Sequence, residues 1–483
     1  MSPIYALVVG AIVLTLMIVS FARVSKVKTK ADYLVAGRSL PAFVLVFTLL
    51  SSWIGSGSLL AGAEAAYRHG FVGLWMAGGG WAGLLLIYFI APRARRFAQF
   101  TIPDLLEARY SQAARVLGVI AVLFAYTAIT SYQFIGGGDI LHLIFPTVIT
   151  ATLGKYILAF FVIVFTAVAG MSSVAYMDVF IGLLATVTLI AALPVLIHGA
   201  GGWSAVHHAL PASHFTVLGD LGLVQALELA VPTLLLMLGN QSMYQKFFSA
   251  KSERDARRAV VGWVVGTVIL ETVIVALAVT GSALYKTGEI AQRPREILAY
   301  SALHGLPAWL GALVMGAIFA KVVSTANNYL FSPATNLVND IFVRYVAPEA
   351  SNKRVLIVSR LMVVLLGVFA LYQALGTGSV LRAAPYAYTV YSAALTPVIL
   401  AAFYSRRATA AGAVSAIAAG TAVTVFWNWD PGLLGRYLPA KVVGMDAIFP
   451  ALAAAVLCLV VVSALTKAPS QEQLAKFHGA APS

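Results

Sequence analysis

The feature that most limits what this chain can fold into is a recurrence of apolar stretches about 20 residues long, the length at which an α-helix crosses the hydrocarbon of a bilayer. Thirteen are legible, at roughly 3–22, 42–67, 71–91, 116–142, 153–170, 172–198, 221–239, 259–284, 307–333, 355–375, 384–404, 409–427 and 447–466. Composition agrees. Of 483 residues, 60% are hydrophobic and 10% are Asp, Glu, Lys or Arg, against about a quarter charged in a soluble chain. A surface so poor in charge has little to offer water, which excludes a soluble enzyme and a nucleic-acid-binding domain. The expectation is an all-α polytopic protein of the plasma (inner) membrane, whose partner is the lipid bilayer.

The net charge of +14 fits the same picture, because Lys and Arg fall in short clusters between the apolar stretches. Alternate loops on one side (Arg23 to Arg38, Arg93 to Arg115, Lys246 to Arg258, Arg344 to Arg360, Arg406 and Arg407, Lys467 and Lys476) hold 23. The other side holds 7: Arg68, Lys286, Arg293, Arg295, Arg382, Arg436 and Lys441. Positive charge marks the cytoplasmic side, so the N-terminus is expected outside and the C-terminus inside. The first stretch has no Lys or Arg before it and no cleavage pattern after it, so it reads as a retained span. One cysteine, Cys458, allows no disulfide within the chain. Four histidines (His198, His207, His208, His214) fall in the largest external loop at a spacing that fits no standard zinc pattern.

Inside lipid every backbone N–H and C=O needs a partner, so a broken helix at depth is tolerated only around a cavity. In the second span, Gly and Ser predominate from Ser51 to Ser58, which frees carbonyls and hydroxyls. In the seventh, Pro232 is expected to break the ladder. These spans open two five-span units, 2–6 and 7–11. Five is odd, so the units lie inverted to each other, and paired interruptions in inverted repeats point to a transporter's binding site. Close packing through small residues is the plainer reading of the same pattern.

The ninth span carries Lys321 and a run of hydroxyls and amides, Ser324-Thr325-Ala326-Asn327-Asn328. Such a run usually faces a cavity or a partner. Ser324 and Thr325 offer hard oxygen ligands that suit an alkali cation, and carbonyls from the broken second span can complete the shell. A Ser–Thr pair can equally bond back to its own helix. Asp178 reads either as an ion ligand or as an interfacial residue. Glu228, beside the expected break, is expected to touch a polar group of the substrate. Glu271 is expected to be a structural partner for a buried Lys or Arg.

Four segments together resemble the sodium:solute symporter family: Ala31–Pro41 before the second span, Thr101–Tyr110 after the third, Tyr244-Gln245-Lys246-Phe247 after the seventh, and the Ser324-Thr325 run. The resemblance implies a LeuT-like inverted five-helix-repeat fold. Residues 1–40 would form an extra N-terminal helix and loop, 41–200 and 201–404 the two repeats, and 405–483 two extra helices and a short tail. It implies that Na+ drives uptake of a small organic solute by symport. By position, sodium would be held by the carbonyls of Ser51, Ile54 and Lys321 and the hydroxyls of Ser324 and Thr325, with Asp178 at a possible second cation site. The solute is expected against Trp53, Gly55, Ser56 and Glu228. The segments 52–67 and 234–239 look like the choline-transporting branch, although the second aromatic expected after Gly239 is missing.

Lys321 departs from the family, which usually has a small residue there. Its carbonyl remains available as a ligand, but an ammonium a few ångströms from sodium repels it strongly at low dielectric. Either the side chain points away from the ion, or it replaces the ion and makes the carrier proton-coupled or sodium-independent. A transporter-like sensor is a weaker reading, since the chain stops soon after its last span. An enzyme is not expected, for no catalytic constellation falls at one depth, and no obligate protein partner is evident. A channel fits the broken helices less well than alternating access does.

Overall fold

In the computed structural model, side-chain caps decide where several helices begin. Ser111 accepts from the Ala114 amide and opens Gln112–Ile144; Ser252 accepts from the Asp255 amide and opens Glu253–Leu284. Thr101 does the same through the Asp104 amide for the short helix Ile102–Arg109. Each cap satisfies an amide that a helix start leaves without a partner. The structure describes residues 3–24, 27–97, 100–168, 170–376, 380–429, 439 and 444–478. Arg436 and Lys441, counted above as loop charges, lie outside them.

All thirteen expected stretches are helical, and among the described residues eleven helices are long and apolar enough to cross a membrane, with Pro3–Val19 and Ala42–Trp53 as shorter apolar helices. In chain order the stretches are α1 (Pro3–Val24), α2 (Ala42–Trp53) continued by α3 (Ala63–His69), α4 (Leu74–Phe97), α5 (Gln112–Ile144), α6 (Ala151–Val168) and α7 (Met171–Gly199). Then come α8 (Leu223–Gly239) continued by α9 (Gln241–Ser249), α10 (Glu253–Leu284), α11 (Ala308–Asn336), α12 (Asn352–Gly376), α13 (Val380–Tyr404), α14 (Ala410–Trp429) and α15 (Ile448–Leu465). The architecture is the all-α inverted-repeat arrangement, with α2/α3 and α8/α9 opening the two five-span units.

Burial separates centre from periphery. In α11, 83% of the most apolar window is buried, against 28% in α12. Ile357, Leu361, Leu365, Val368 and Tyr372 form an exposed apolar stripe along α12, the face lipid would cover. α11 packs against α5, α7 and α1 at the centre.

Both opening helices are interrupted, and one interruption is not where the sequence suggested. The first runs through Ile54, whose backbone is extended at φ −83 and ψ 98, into a wide π-helical turn at Gly57–Gly62. The second falls at Asn240 (φ −63, ψ 112), not at Pro232, which sits inside the unbroken helix α8. A proline removes one amide and crowds one carbonyl, and α8 absorbs that. At Asn240 four tyrosine and amide groups replace the lost ladder. The Tyr391 hydroxyl donates to the Gly239 carbonyl at 2.7 Å and accepts from the Gln241 amide at 3.1 Å. The Tyr126 hydroxyl donates to Asn240 Oδ1 at 2.9 Å, and Asn240 Nδ2 donates to the Tyr329 hydroxyl at 2.8 Å.

Candidate cation and solute site

Helix α2 ends at Trp53, so carbonyls in its last turn have no intrahelical amide to accept from. α11 crosses this gap and inserts Thr325. Its hydroxyl lies 2.8 Å from the Ser51 carbonyl, 3.3 Å from the Ile54 carbonyl and 2.9 Å from its own helix's Lys321 carbonyl. Gly55 makes this approach possible, because a Cβ there would stand 2.5 Å from Thr325 Oγ1 and 2.7 Å from Thr325 Cβ. Three carbonyls and one hydroxyl, all hard oxygens, thus converge within one small volume. That is the chemistry an alkali cation takes.

Ser324 faces elsewhere. Its hydroxyl donates to Asp178 Oδ1 on α7, while Thr48 Oγ1 at 2.5 Å and Asn328 Nδ2 at 3.2 Å donate to Oδ2. Asp178 is completely buried and is therefore not interfacial. Two completely buried lysines surround it. Lys321 Nζ donates to Ser51 Oγ at 3.1 Å, and that hydroxyl in turn donates to the Asp178 backbone carbonyl at 3.3 Å. Lys246 Nζ donates to Asn328 Oδ1 at 2.8 Å and Ser242 Oγ at 3.0 Å. Lys246 was counted above as a cytoplasmic loop charge; it sits instead at full burial on α9. Each ammonium thus reaches Asp178 through one intervening residue, Ser51 for Lys321 and Asn328 for Lys246.

A separate cavity lies on the other flank of the break. Trp53, Ser58, Met76, Thr233, Glu271 and Tyr388 line it, drawn from both five-span units. Its floor is Glu271 on α10, which accepts Trp53 Nε1–H at 2.9 Å, Ser58 Oγ–H at 3.1 Å and Trp81 Nε1–H at 2.8 Å. The Tyr388 hydroxyl lies 3.0 Å from that of Tyr132. The free volume is ≈ 20 Å³, room for about one water. A solute therefore enters only as these walls move apart.

The expected residues divide between these places. Ser51, Ile54, Lys321 and Thr325 meet at the oxygen cluster, with Gly55 packed against it and Ser324 turned to Asp178. Trp53 reaches the cavity. The buried Ser56 hydroxyl has no hydrogen-bond partner among the described residues, and its amide donates to Gln133 Oε1 at 2.8 Å. Glu228 lies away from the cavity, where its Oε1 accepts the Asp446 amide at 3.1 Å. Glu271 is corrected in the opposite sense. Among the described residues no Lys, Arg or His pairs with it, and it faces the cavity. Trp81 and Lys246 are also functional candidates that sequence reasoning passed over. Trp81 lies one helix away from any interruption, and nothing in its neighbours distinguishes it from packing.

Known proteins resemble this chain in sequence and in fold. Over 480 residues the chain is 25% identical to the sodium/proline symporter of Staphylococcus aureus, across 94% of this chain and 91% of that one. It is 24% identical over 488 residues to an osmoregulated proline transporter of Bacillus subtilis (strain 168), across 97% and 96%. A substrate-bound, outward-open Na+-coupled sialic acid symporter superposes with a TM-score of 0.83 at 16% identity, covering 97% of this chain and 98% of its own. At that identity the likeness is one of fold. A nucleobase-cation-symport-1 family transporter in a closed conformation superposes at 0.61 with 12% identity, covering 93% and 99%. The model of the sodium:solute symporter family matches residues 33–420.

Proposed function

We infer the function from one premise: the chain belongs to the sodium:solute symporter family. It is a secondary active transporter of a small organic solute across the membrane. Our reading is that sodium binds where the Ser51, Ile54 and Lys321 carbonyls meet Thr325 Oγ1, between the broken helix α2 and α11. The observation that carries it is the convergence of those oxygens within 2.8–3.3 Å of one hydroxyl. Ser324 joins the shell by exchanging its contact with Asp178. Asp178, the residue expected at a second cation site, holds the polar cluster beside the ion through its bonds from Ser324, Thr48 and Asn328.

Sodium at this place ties two units that move relative to each other. The ion and the solute then stabilise one conformer, and each raises the other's affinity by the same factor. The solute lies against Trp53 in the neighbouring cavity. The two bacterial relatives carry proline, which makes a small zwitterion the first solute to try. The choline-like segments 52–67 and 234–239 make choline the second. The excess of Lys and Arg on one side supports an N-terminus outside and a C-terminus inside.

One observation favours a second reading. Lys321 Nζ is already hydrogen-bonded to Ser51 Oγ, on the residue whose carbonyl is a proposed ligand, so its ammonium can stand in for the ion. Initial uptake into proteoliposomes, with sodium or potassium outside, separates the two for wild type and Lys321→Met. Sodium-driven uptake in both proteins supports the first reading. Sodium-independent uptake in wild type that becomes sodium-dependent in Lys321→Met supports the second.

A further inference from the structure

Six acidic residues are buried among the described residues: Glu64, Asp139, Asp178, Glu271, Glu296 and Asp340. Arg68 pairs with Glu64, Arg295 with Asp139, Arg293 with Glu296 and Arg115 with Asp340. Asp178 has Lys321 and Lys246 one hydrogen-bonding residue away, through Ser51 and Asn328. Glu271 alone has only neutral donors, two indoles and a serine. An indole N–H can donate but not accept, so both of its oxygens act as acceptors. Hydrogen bonds to the charged form favour that form. Neutral donors spread the charge without cancelling it, and a buried charge is retained when something pairs with it.

The open space beside this carboxylate is the cavity floored by Glu271. We propose that the transported solute carries a positively charged nitrogen, an ammonium, that pairs with Glu271 and is the missing cation. The proposal rests on the symport reading above and names its solute class. Trp53, whose ring forms one wall while its N–H holds Glu271, adds an aromatic surface of the kind that attracts cations. A carboxylate has about four lone-pair positions. Three donors leave about one free, enough to meet a charged nitrogen from the cavity side. Thr233 and Tyr388 supply the polar atoms on the remaining walls.

The test uses the whole purified protein and matched pairs of probes. Thermal stability is titrated with choline against its neutral isostere 3,3-dimethylbutanol, and with proline and methylammonium against neutral analogues of similar size. Wild type should be stabilised saturably by at least one charged-nitrogen member and not by its neutral partner. Glu271→Gln should lose about 30-fold or more in affinity for that member. Because glutamine turns an N–H toward the Trp81 indole, Glu271→Gln/Trp81→Phe serves as the second variant and should show the same loss. Equal binding of neutral and charged partners, no saturable response to any cation, or unchanged affinity in both variants overturns the proposal. Stabilisation by sodium alone, in the absence of solute, is read in the same experiment. If it persists while the cation preference is missing, the carboxylate assignment falls and symport stands; the reverse result removes the sodium site and leaves Glu271 in place.

Discussion

The Thr325 hydroxyl stands 2.8 Å from the Ser51 carbonyl, joining two helices across 274 positions of sequence. The contact is the closest tie between the broken helix and α11 at the oxygen cluster. On the proposed sodium site, Thr325 is the residue through which the ion would be felt by both. Thr325→Ala should raise the sodium concentration for half-maximal uptake about ten-fold or more, the effect of losing one hydrogen-bonding oxygen. Thr325→Ser keeps the hydroxyl and should stay near wild type. Sodium titration of initial uptake rates checks both.

Gly55 has no room for a side chain. Gly55→Ala places a Cβ 2.5 Å from Thr325 Oγ1, and overpacking of this kind costs about 1–3 kcal/mol. The variant should melt lower and respond less to sodium. Gly62→Ala is the control: its Cβ would meet only the Gly57 carbonyl at 3.6 Å, and it should melt as wild type does.

Asp178 is the acidic residue one hydrogen-bonding residue away from two buried ammonium groups, so removing its charge should leave both with less compensation. Asp178→Asn should destabilise the protein by about 3–5 kcal/mol, read as a lower melting temperature and poorer recovery of monodisperse protein. Adding Lys321→Met to Asp178→Asn removes one of the stranded charges and should restore part of the loss. A double variant no better than the single one would show that Lys321 and Asp178 do not share a charge balance.

The second interruption has its own support. Tyr391→Phe deletes the hydroxyl that donates to the Gly239 carbonyl and accepts from the Gln241 amide. Leaving these groups unpaired at depth should cost about 1–3 kcal/mol. Thermal denaturation in detergent measures it, and an unchanged melting temperature would mean that water serves both groups.

The apolar helices and the first interruption were legible because each is a local property. A run of 20 apolar residues, or Gly and Ser from Ser51 to Ser58, states its physics within one turn or one helix. Asn240 was legible in principle, since Gly239-Asn240 pairs a helix-ending glycine with a capping side chain. Pro232 drew attention from it, although the helix Leu223–Gly239 absorbs that proline. Lys246 and Glu271 were not legible. Whether a lysine near a helix end is a loop charge or a buried partner of Asn328 depends on a helix 82 positions away. Glu271 was assigned a buried cation because a carboxylate in lipid needs a partner. The fold supplies two indoles instead, one of them Trp81, 190 positions distant, and nothing local announces that.

The most direct measurement is the melting temperature of the purified protein in sodium and in potassium at matched ionic strength, for wild type and Thr325→Ala. A ligand that binds only the folded state raises stability with its concentration. Sodium should therefore raise the wild-type melting temperature specifically and saturably, and Thr325→Ala should lose most of that rise while melting normally in potassium. Equal melting of wild type in the two salts, or an undiminished sodium shift in Thr325→Ala, would contradict a sodium site between Ser51 and Thr325.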